Sequence, residues 1–249
     1  MKKILLFLIA LPVLVMAGCS SSKVDFTPYK TGAILSVRSN SALPWYVPKG
    51  SGESDGKKEN TGEGILTQAL HNMTGNTDPE LNSAQERLND AESSFHDIMA
   101  EIAGVQILDK ETVVNSKKYK MIGGGVLKIL QSSTAATDYH NLTQISKFNC
   151  REILKEVNAD CGFILSFQFN KKVMEGNRSY GEIAPYGELK VTMMDQQGKK
   201  VAEKKYAADG AERIKVRGRG YDHGELVDLY GELSKTLISM FAVDWVSSN

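Results

Sequence analysis

Four basic residues recur at every second position near the end of the chain: Arg213, Lys215, Arg217 and Arg219. In an extended segment, alternate side chains point to the same face, so these four charges would share one surface. Guanidinium groups pair well with phosphate and carboxylate groups. One hypothesis is contact with anionic lipid headgroups, a cell-wall polymer or an acidic partner surface. The alternative is a solvated edge whose charges keep a sheet from aggregating.

The sequence contains no recognisable set of catalytic or metal-binding residues. No two of its histidines have the spacing of a metal site; they are His71, His96, His140 and His223. The three glycines at 123–125 lack the Gly-Lys-Ser/Thr ending of a phosphate-binding loop. Catalysis needs a base, a nucleophile and an orienting group held together, and no motif supplies them. The sequence therefore predicts a protein that is not an enzyme and has neither a cofactor nor a metal.

The start of the chain has the pattern of a secretory signal. Lys2 and Lys3 precede an apolar run, Ile4–Met16, which is too short to span a bilayer comfortably. The run leads into Met16-Ala17-Gly18-Cys19, which resembles a bacterial lipobox with Met in place of the usual Leu. The resemblance implies that residues 1–18 are removed and that Cys19 is acylated. The alternative is an ordinary signal peptide followed by an incidental cysteine.

Acylation of Cys19 would hold the protein on a membrane without a spanning helix. Each buried CH2 contributes about 0.8 kcal/mol, so one acyl chain binds marginally and two or more bind stably. No later segment approaches ~18 uninterrupted apolar residues. By resemblance to enterobacterial lipoproteins, Ser20 after the cysteine favours the outer membrane, and we expect the domain to face the periplasm. Residues 19–30 are predicted to be a polar tether.

Composition limits the classes of partner. The chain has 30 basic and 30 acidic residues, and loss of Lys2 and Lys3 with the signal leaves a slightly acidic protein. Nucleic-acid binding would need a strongly basic domain or stripe, so no nucleic acid is expected. The length of the mature chain suits one domain over residues 31–249.

Two cysteines remain after the lipobox, Cys150 and Cys161. They lie near the end of a predicted helix and the start of the following strand, so a disulfide is geometrically conceivable in the oxidising envelope. Two small buried thiols are the alternative.

The first strand is predicted over Ala33–Arg38, an apolar run with β-branched residues. A flexible insertion is predicted over residues 39–64, because its Gly, Ser, Pro, Lys and Glu content buries too little to order it. Within it, Trp45 and Tyr46 stand between two prolines. They are candidates for docking on a partner or a lipid interface, and the alternative is a loop folded back onto the core.

Two short apolar segments are candidates for contact with a membrane or a partner. The first is predicted to be an amphipathic helix over Ile65–Met73, and the second is the piece Val126–Leu130 after the three glycines. Their contact candidates are Ile65, Leu66, Leu70, Val126, Leu127 and Leu130.

Longer helices are predicted where apolar residues recur at steps of three and four. One begins at Asp78-Pro79 and ends at Gly104, a second covers Asn141–Val157, and the third follows a capping pattern at Asp222. The buried face of the third helix is predicted to carry Leu226, Tyr230, Leu233, Leu237, Met240 and Phe241.

The remaining strands are predicted from alternation of apolar and polar residues. Phe163–Phe169 alternates most cleanly, and a loop rich in Gly and Tyr follows it. Strands are also predicted over Val105–Val114, over Leu189–Met193 and, after a hairpin turn, over Lys200–Ala208. This order predicts an α/β (α+β) single domain, with a mixed sheet of about five strands covered by amphipathic helices.

This pattern on a lipid anchor resembles the periplasmic domain shared by the curli-secretion-channel lipoprotein and the peptidoglycan-synthase-activator lipoprotein. The matching features are VQILDKETVV after a helix, FILSFQF after Asn158-Ala159-Asp160, and the "D-x-x-G-K" turn of the hairpin. The likeness covers roughly Ala33 to Val246, and the long insertion after Ser39 departs from the family pattern. It implies a binding domain more than a channel.

The leading functional hypothesis is a lipid-anchored, non-catalytic interaction or assembly module in outer-membrane or cell-wall biogenesis or secretion. Its partners would be the membrane, through Cys19, and an envelope protein or further copies of itself. A second likeness, to spirochaetal outer-membrane-associated lipoproteins, supplies the alternative. In that case the amphipathic helices insert into the outer membrane and alter it.

Overall fold

The computed structural model describes residues 24–48, 79–122 and 133–248. Several predictions lie outside these residues: the signal peptide and Cys19, residues 49–64 of the insertion, the cap at Asp78, and both apolar segments, 65–73 and 126–130. The membrane-insertion alternative rests on those two segments and stays a prediction. Within the described part of the chain, no helix is both long enough and apolar enough to cross a bilayer.

In the described part of the chain, seven strands form one mixed sheet. Five of them lie in the order β2-β1-β4-β5-β6, while β3 pairs with β1 and β7 pairs with β5. β1 runs parallel to β2 and β4, and all other pairs are antiparallel. The strands are β1 Thr31–Asn40, β2 Gln106–Ile107, β3 Ser133–Ala135, β4 Cys161–Gly176, β5 Tyr180–Asp195, β6 Lys200–Asp209 and β7 Ile214–Arg217.

Six α-helices accompany the sheet in the described residues, and the second continues into a π-helical turn, Met99–Ala103. The helices are α1 Pro79–Asn82, α2 Ala84–Ile98, α3 Lys110–Val114, α4 Lys117–Lys120, α5 Lys147–Val157 and α6 His223–Ser247. The predicted class, a single α/β (α+β) domain with a mixed sheet and amphipathic helices, is confirmed.

The two faces of the sheet are covered unequally. On one face, Phe163 of β4 packs against Phe95 of α2 and Phe241 of α6, with ring centroids 5.3 and 6.2 Å away. Gly162, the residue before Phe163 on β4, faces the opposite side of the sheet, where Leu154 of α5 approaches it closely. Helices α2 and α6 extend along the first face, which we call the covered face. Among the described residues, the short helices α3, α4 and α5 cover only one end of the second face, which we call the open face.

The final helix follows its predicted start but not all of its predicted face. The Asp222 carboxylate accepts a hydrogen bond from the Glu225 N–H at 2.9 Å, which confirms the cap. Of the six residues predicted to be buried, Met240 is wrong, because 39% of its surface is exposed. The neighbouring Phe241, also predicted to be buried, is fully buried and its ring lies 6.2 Å from that of Phe163 on the sheet.

The predicted end of the first long helix is confirmed, since Gly104 ends it with the left-handed φ of 65°. Its predicted continuity is not, because Ser83 separates α1 from α2. The strand predicted over Val105–Val114 is wrong in its second half. Only Gln106 and Ile107 pair with β1, and the chain then turns into α3, which buries Val113. The strand β2 is therefore only two residues long and pairs with β1 at the edge of the sheet.

The helix predicted over Asn141–Val157 begins at Lys147 instead. The Ser146 side chain accepts a hydrogen bond from Asn149 N–H at 3.1 Å and caps the helix there. Leu142, predicted to lie on the helix, instead donates its backbone N–H to the Ser36 hydroxyl at 3.1 Å. That bond ties the preceding loop to β1.

The loop predicted after Phe169 is largely strand. β4 and β5 form one long hairpin, and Gly176 pairs with Gly181 at its tip. A Cβ at either glycine would lie within 2.3 Å of a carbonyl oxygen across the turn, so the tip tolerates no side chain there. The glycines that predicted a loop therefore close a tight hairpin.

Candidate functional site

A row of cations crosses the open face. Strand pairing places Arg38 of β1 opposite Ser166 of β4, Ser166 opposite Lys190 of β5, and Lys190 opposite Lys205 of β6. We call Arg38, Lys190 and Lys205 the cation row. Because paired residues share a face, all three basic side chains project to the same side of the sheet.

The cation row lies in a concavity of about 660 Å³. The next register row places Gln168 opposite Glu188, and Glu188 opposite Ala207. All three residues of that row are exposed. The concavity therefore has three cations, one carboxylate and several neutral hydrogen-bonding groups; those groups are Ser39, Asn40, Ser133, Ser166 and Gln168.

Arg38 is the member of the cation row with a hydrogen bond to a neighbouring strand. It is half-buried, and its Nη2 donates a hydrogen bond to the Ser133 hydroxyl at 2.9 Å. Burial lowers the pKa of the guanidinium, although it stays protonated at any physiological pH. Within the described residues, no carboxylate forms a salt bridge with Arg38, Lys190 or Lys205.

Trp45 and Tyr46 are half-buried and fold back onto the domain, as the second interpretation of that segment predicted. The Tyr46 N–H donates to the Lys171 carbonyl at 2.7 Å, so the segment extends the sheet beside β4. The Tyr46 ring lies 4.1 Å from Tyr186, and Lys172 lies over both rings. This aromatic pair forms one end of the open face.

The basic segment near the end of the chain lies on the same face at the far end of the hairpin. Lys215 is opposite Glu182, and Arg213 pairs with Glu182 at 3.3 Å. Lys215 and Arg217 are exposed on β7, as the alternation predicted. Arg219 departs from the predicted extended row, because its φ of 68° places it in a turn.

A buried polar cluster joins α1, β4 and the start of α6. The Glu80 carboxylate accepts hydrogen bonds from Lys171 at 2.8 Å and from the Tyr221 hydroxyl at 2.6 Å. His223 Nδ1 lies 2.7 Å from the same carboxylate. Burial opposes ionisation, but these bonds lower the pKa of Glu80 below its ordinary value. The sequence does not reveal the cluster, because its members are far apart in the chain and carry no common motif.

The three described histidines all have intramolecular roles. His96 Nε2 lies 3.1 Å from a Glu92 oxygen, and His140 stacks on Tyr119 with ring centroids 4.7 Å apart. His223 belongs to the Glu80 cluster. Among the residues that the structure describes, no group of His, Cys, Asp and Glu could hold a metal ion.

Cys150 and Cys161 are free, buried thiols, which was the second of the two alternatives. Burial raises the pKa of the Cys150 thiol to about 12 and also raises that of Cys161. Both side chains are therefore protonated at neutral pH and are poor nucleophiles.

These thiols are expected to resist modification in the folded protein. In full-length protein with Cys19→Ser, a thiol reagent at pH 8 should label neither cysteine before denaturation and both after it, because burial keeps the thiols protonated and covered. Absorbance of the released thiolate measures this. If unfolded, unreduced protein yields no free thiol, the two cysteines are bridged and the expectation is wrong.

No protein-family model matches this sequence, and no curated protein is returned as a match. Among solved structures, the LpoB C-terminal domain from Salmonella enterica matches with 12% sequence identity and a TM-score of 0.29. The match covers 72% of this chain and 82% of that chain. A likeness at this TM-score carries no argument about function, so the family resemblance stays a prediction.

Proposed function

We propose that the protein is a lipid-anchored cell-envelope lipoprotein that acts as a non-catalytic interaction or assembly module on the periplasmic side of the bacterial outer membrane. Its partner is an envelope protein or a second copy of the chain. The partner binds the open face of the sheet, including the cation row. Acyl chains on Cys19 hold the domain at the membrane.

The observation that carries the proposal is the unequal covering of the sheet. The long β4–β5 hairpin is packed under α2 and α6 on one face, which makes it a rigid platform. The other face presents charged, hydroxyl and amide groups in a concavity of about 660 Å³. Antiparallel sheets often leave a face to solvent, but a concave face whose described lining has three cations and one carboxylate is suited to an anionic partner.

The geometry of the tether supports the proposed orientation. Phe26 is buried and its ring stacks on that of Trp245 at a centroid distance of 4.3 Å. Phe26 therefore belongs to the folded domain, although the sequence predicted a tether over residues 19–30. Six residues separate Cys19 from Phe26. At about 3.5 Å per residue, they keep this end of the domain within roughly 25 Å of the anchor.

The basic strand β7 lies at the opposite end of the sheet from the anchored end. β4 begins at Cys161 beside Gly32 of β1, is 16 residues long and ends at Gly176. At about 3.3 Å per residue, its length is roughly 50 Å before twist is considered. This separation favours a partner in the periplasm over headgroups of the anchoring membrane as the contact for Lys215 and Arg217.

Site-specific photocrosslinking in intact cells tests the proposal. A photoreactive residue at Gln168, exposed on the open face, is expected to give a discrete adduct with an envelope protein or, at twice the mass of the chain, with a second copy. The matched control is Glu232, which is exposed on α6 and faces away from the sheet. No adduct at Gln168 in several growth states, or the same adducts at both positions, would contradict the proposal.

A further inference from the structure

We infer that the cation row binds an extended acidic segment of a protein partner, with carboxylates on alternate residues. The inference rests on the proposed function and deepens it by naming the chemistry of the partner. It uses Arg38, Lys190 and Lys205, which the sequence pattern did not single out because they lie on three separate strands. Only strand pairing places them in one row.

The row is electrostatically unfavourable without a ligand. Lys190 and Lys205 are directly opposite each other on neighbouring strands, and like charges in that position destabilise a sheet. Arg38 has lost part of its hydration through burial, and among the described residues its guanidinium donates a hydrogen bond to the Ser133 hydroxyl and to no carboxylate. A carboxylate bound between Lys190 and Lys205 would offset their repulsion, and one bound to Arg38 would form a charge-assisted hydrogen bond, which is stronger than a neutral one.

The spacing of the row favours a ligand with more than one anionic group. Neighbouring strands are about 4.8 Å apart, so Lys190 lies about 10 Å from Arg38 and Lys205 about 14 Å from it at the level of the backbone. Alternate residues of an extended peptide repeat every 7 Å or so. Two or three carboxylates on such a peptide can reach all three cations, because lysine and arginine side chains span several ångströms.

The neighbouring register row favours a peptide over a polyphosphate or a lipid headgroup. Glu188 lies beside Lys190 on the same strand face, and its carboxylate accepts a hydrogen bond from the Tyr186 hydroxyl at 3.0 Å. The Glu188 carboxylate repels any anionic group nearby. A peptide, unlike a phosphate, also brings backbone N–H donors that this carboxylate can accept. Gln168, exposed opposite Glu188, offers both a donor and an acceptor.

Binding of defined peptides to the full-length chain with Cys19→Ser tests the inference. The probe is a fluorescent ten-residue peptide of alternating Glu and Thr, and the comparison peptide has Gln in place of Glu. Fluorescence anisotropy should show binding of the Glu peptide and at least about tenfold weaker binding of the Gln peptide. Added salt should weaken the binding, because the contacts are solvent-exposed.

Charge reversal identifies the site. Lys190→Glu combined with Lys205→Glu is expected to weaken the Glu peptide about tenfold or more, because two attractions become repulsions. The matched control is Lys155→Glu with Lys235→Glu, which changes the net charge equally at exposed positions of α5 and α6. Circular dichroism confirms that both double variants are folded. Arg38 is left intact because it is half-buried.

Any of the following outcomes would overturn the inference. The Gln peptide could bind as tightly as the Glu peptide, or the control variant could lose as much affinity as the row variant. Alternatively, phosphatidylglycerol vesicles or inorganic phosphate could bind with the same dependence on Lys190 and Lys205 while the Glu peptide does not, which would assign the row to a phosphate.

A specific adduct at Gln168 without peptide binding would leave the proposed function standing and refute this inference alone. Peptide binding without any adduct in cells would instead count against the proposed function.

Discussion

Replacing Glu80 by alanine is expected to lower the free energy of unfolding by about 3–5 kcal/mol, because it leaves a buried charge without its partner. The Lys171 side chain is only 11% exposed and the Glu80 side chain 8% exposed, so water cannot replace the lost carboxylate. The substitution also removes the acceptor of the Tyr221 hydroxyl and the partner of His223. Denaturant titration followed by circular dichroism measures the loss.

The matched control for this substitution is Glu86→Ala. Glu86 lies six residues further along the chain, exposed on α2, and its loss should change stability by less than about 0.5 kcal/mol. If both substitutions cost the same, the Glu80 cluster does not hold α1 against β4 and the prediction is wrong.

The same carboxylate makes stability depend on pH in a definite direction. The pKa of Glu80 is lower in the folded protein than its ordinary value of 4.5, despite burial, because of the bonds from Lys171, Tyr221 and His223. The stabilisation is therefore complete above the unfolded pKa and is lost as pH falls through the folded one. Stability should decline below about pH 5, and Glu80→Gln should flatten that part of the curve. An equally steep decline in the variant would assign it to other carboxylates.

Replacing Phe241 by alanine is expected to lower the free energy of unfolding by about 3–5 kcal/mol, because it leaves a cavity in the aromatic core. The ring is fully buried and contacts four others, at centroid distances between 5.9 and 6.2 Å. These four rings belong to Phe95, Phe163, Tyr206 and Trp245. The loss therefore reaches both covering helices and the sheet. Thermal and chemical denaturation measure it.

Met240→Ala is the matched control, one residue away on the same helix. Met240 is 39% exposed, so its truncation should cost less than about 1 kcal/mol. The sequence pattern placed both residues on the buried face, so the pair also tests which side of α6 faces the sheet. A larger loss at Met240 than at Phe241 would show that the helix is rotated relative to the structure.

Local rules account for the elements whose signal is contained in a single stretch of chain. Alternation of apolar and polar residues predicted the central strand at Phe163–Phe169. The prediction succeeded because every second residue of this segment is buried on the same face of the sheet. Capping chemistry predicted the start of α6 at Asp222, since a carboxylate three residues before a free N–H is a local contact. The α/β class and the covering helices follow from such segments.

Local rules failed where a distant partner decided the conformation. Gly181 and Gly187 suggest a loop by composition, yet β4 supplies a full ladder of partners and makes the segment a strand. Val105–Val114 has strand composition, yet only two of its residues find a neighbour in β1. Met240 has the helical spacing of a buried residue. It is nevertheless exposed, because it lies at the margin of the face that α6 packs against the sheet.

The sequence by itself determined the signal-like start, the lipobox resemblance, the fold class and the exposed basic residues on β7, because each depends on neighbours within a few positions. Only the tertiary structure decided which face of the sheet is open and which cations meet there. Arg38, Lys190 and Lys205 are 152 and 15 residues apart in the chain, and no local pattern links them. Strand register brings them together, since pairing across β1, β4, β5 and β6 depends on the packing of the whole domain.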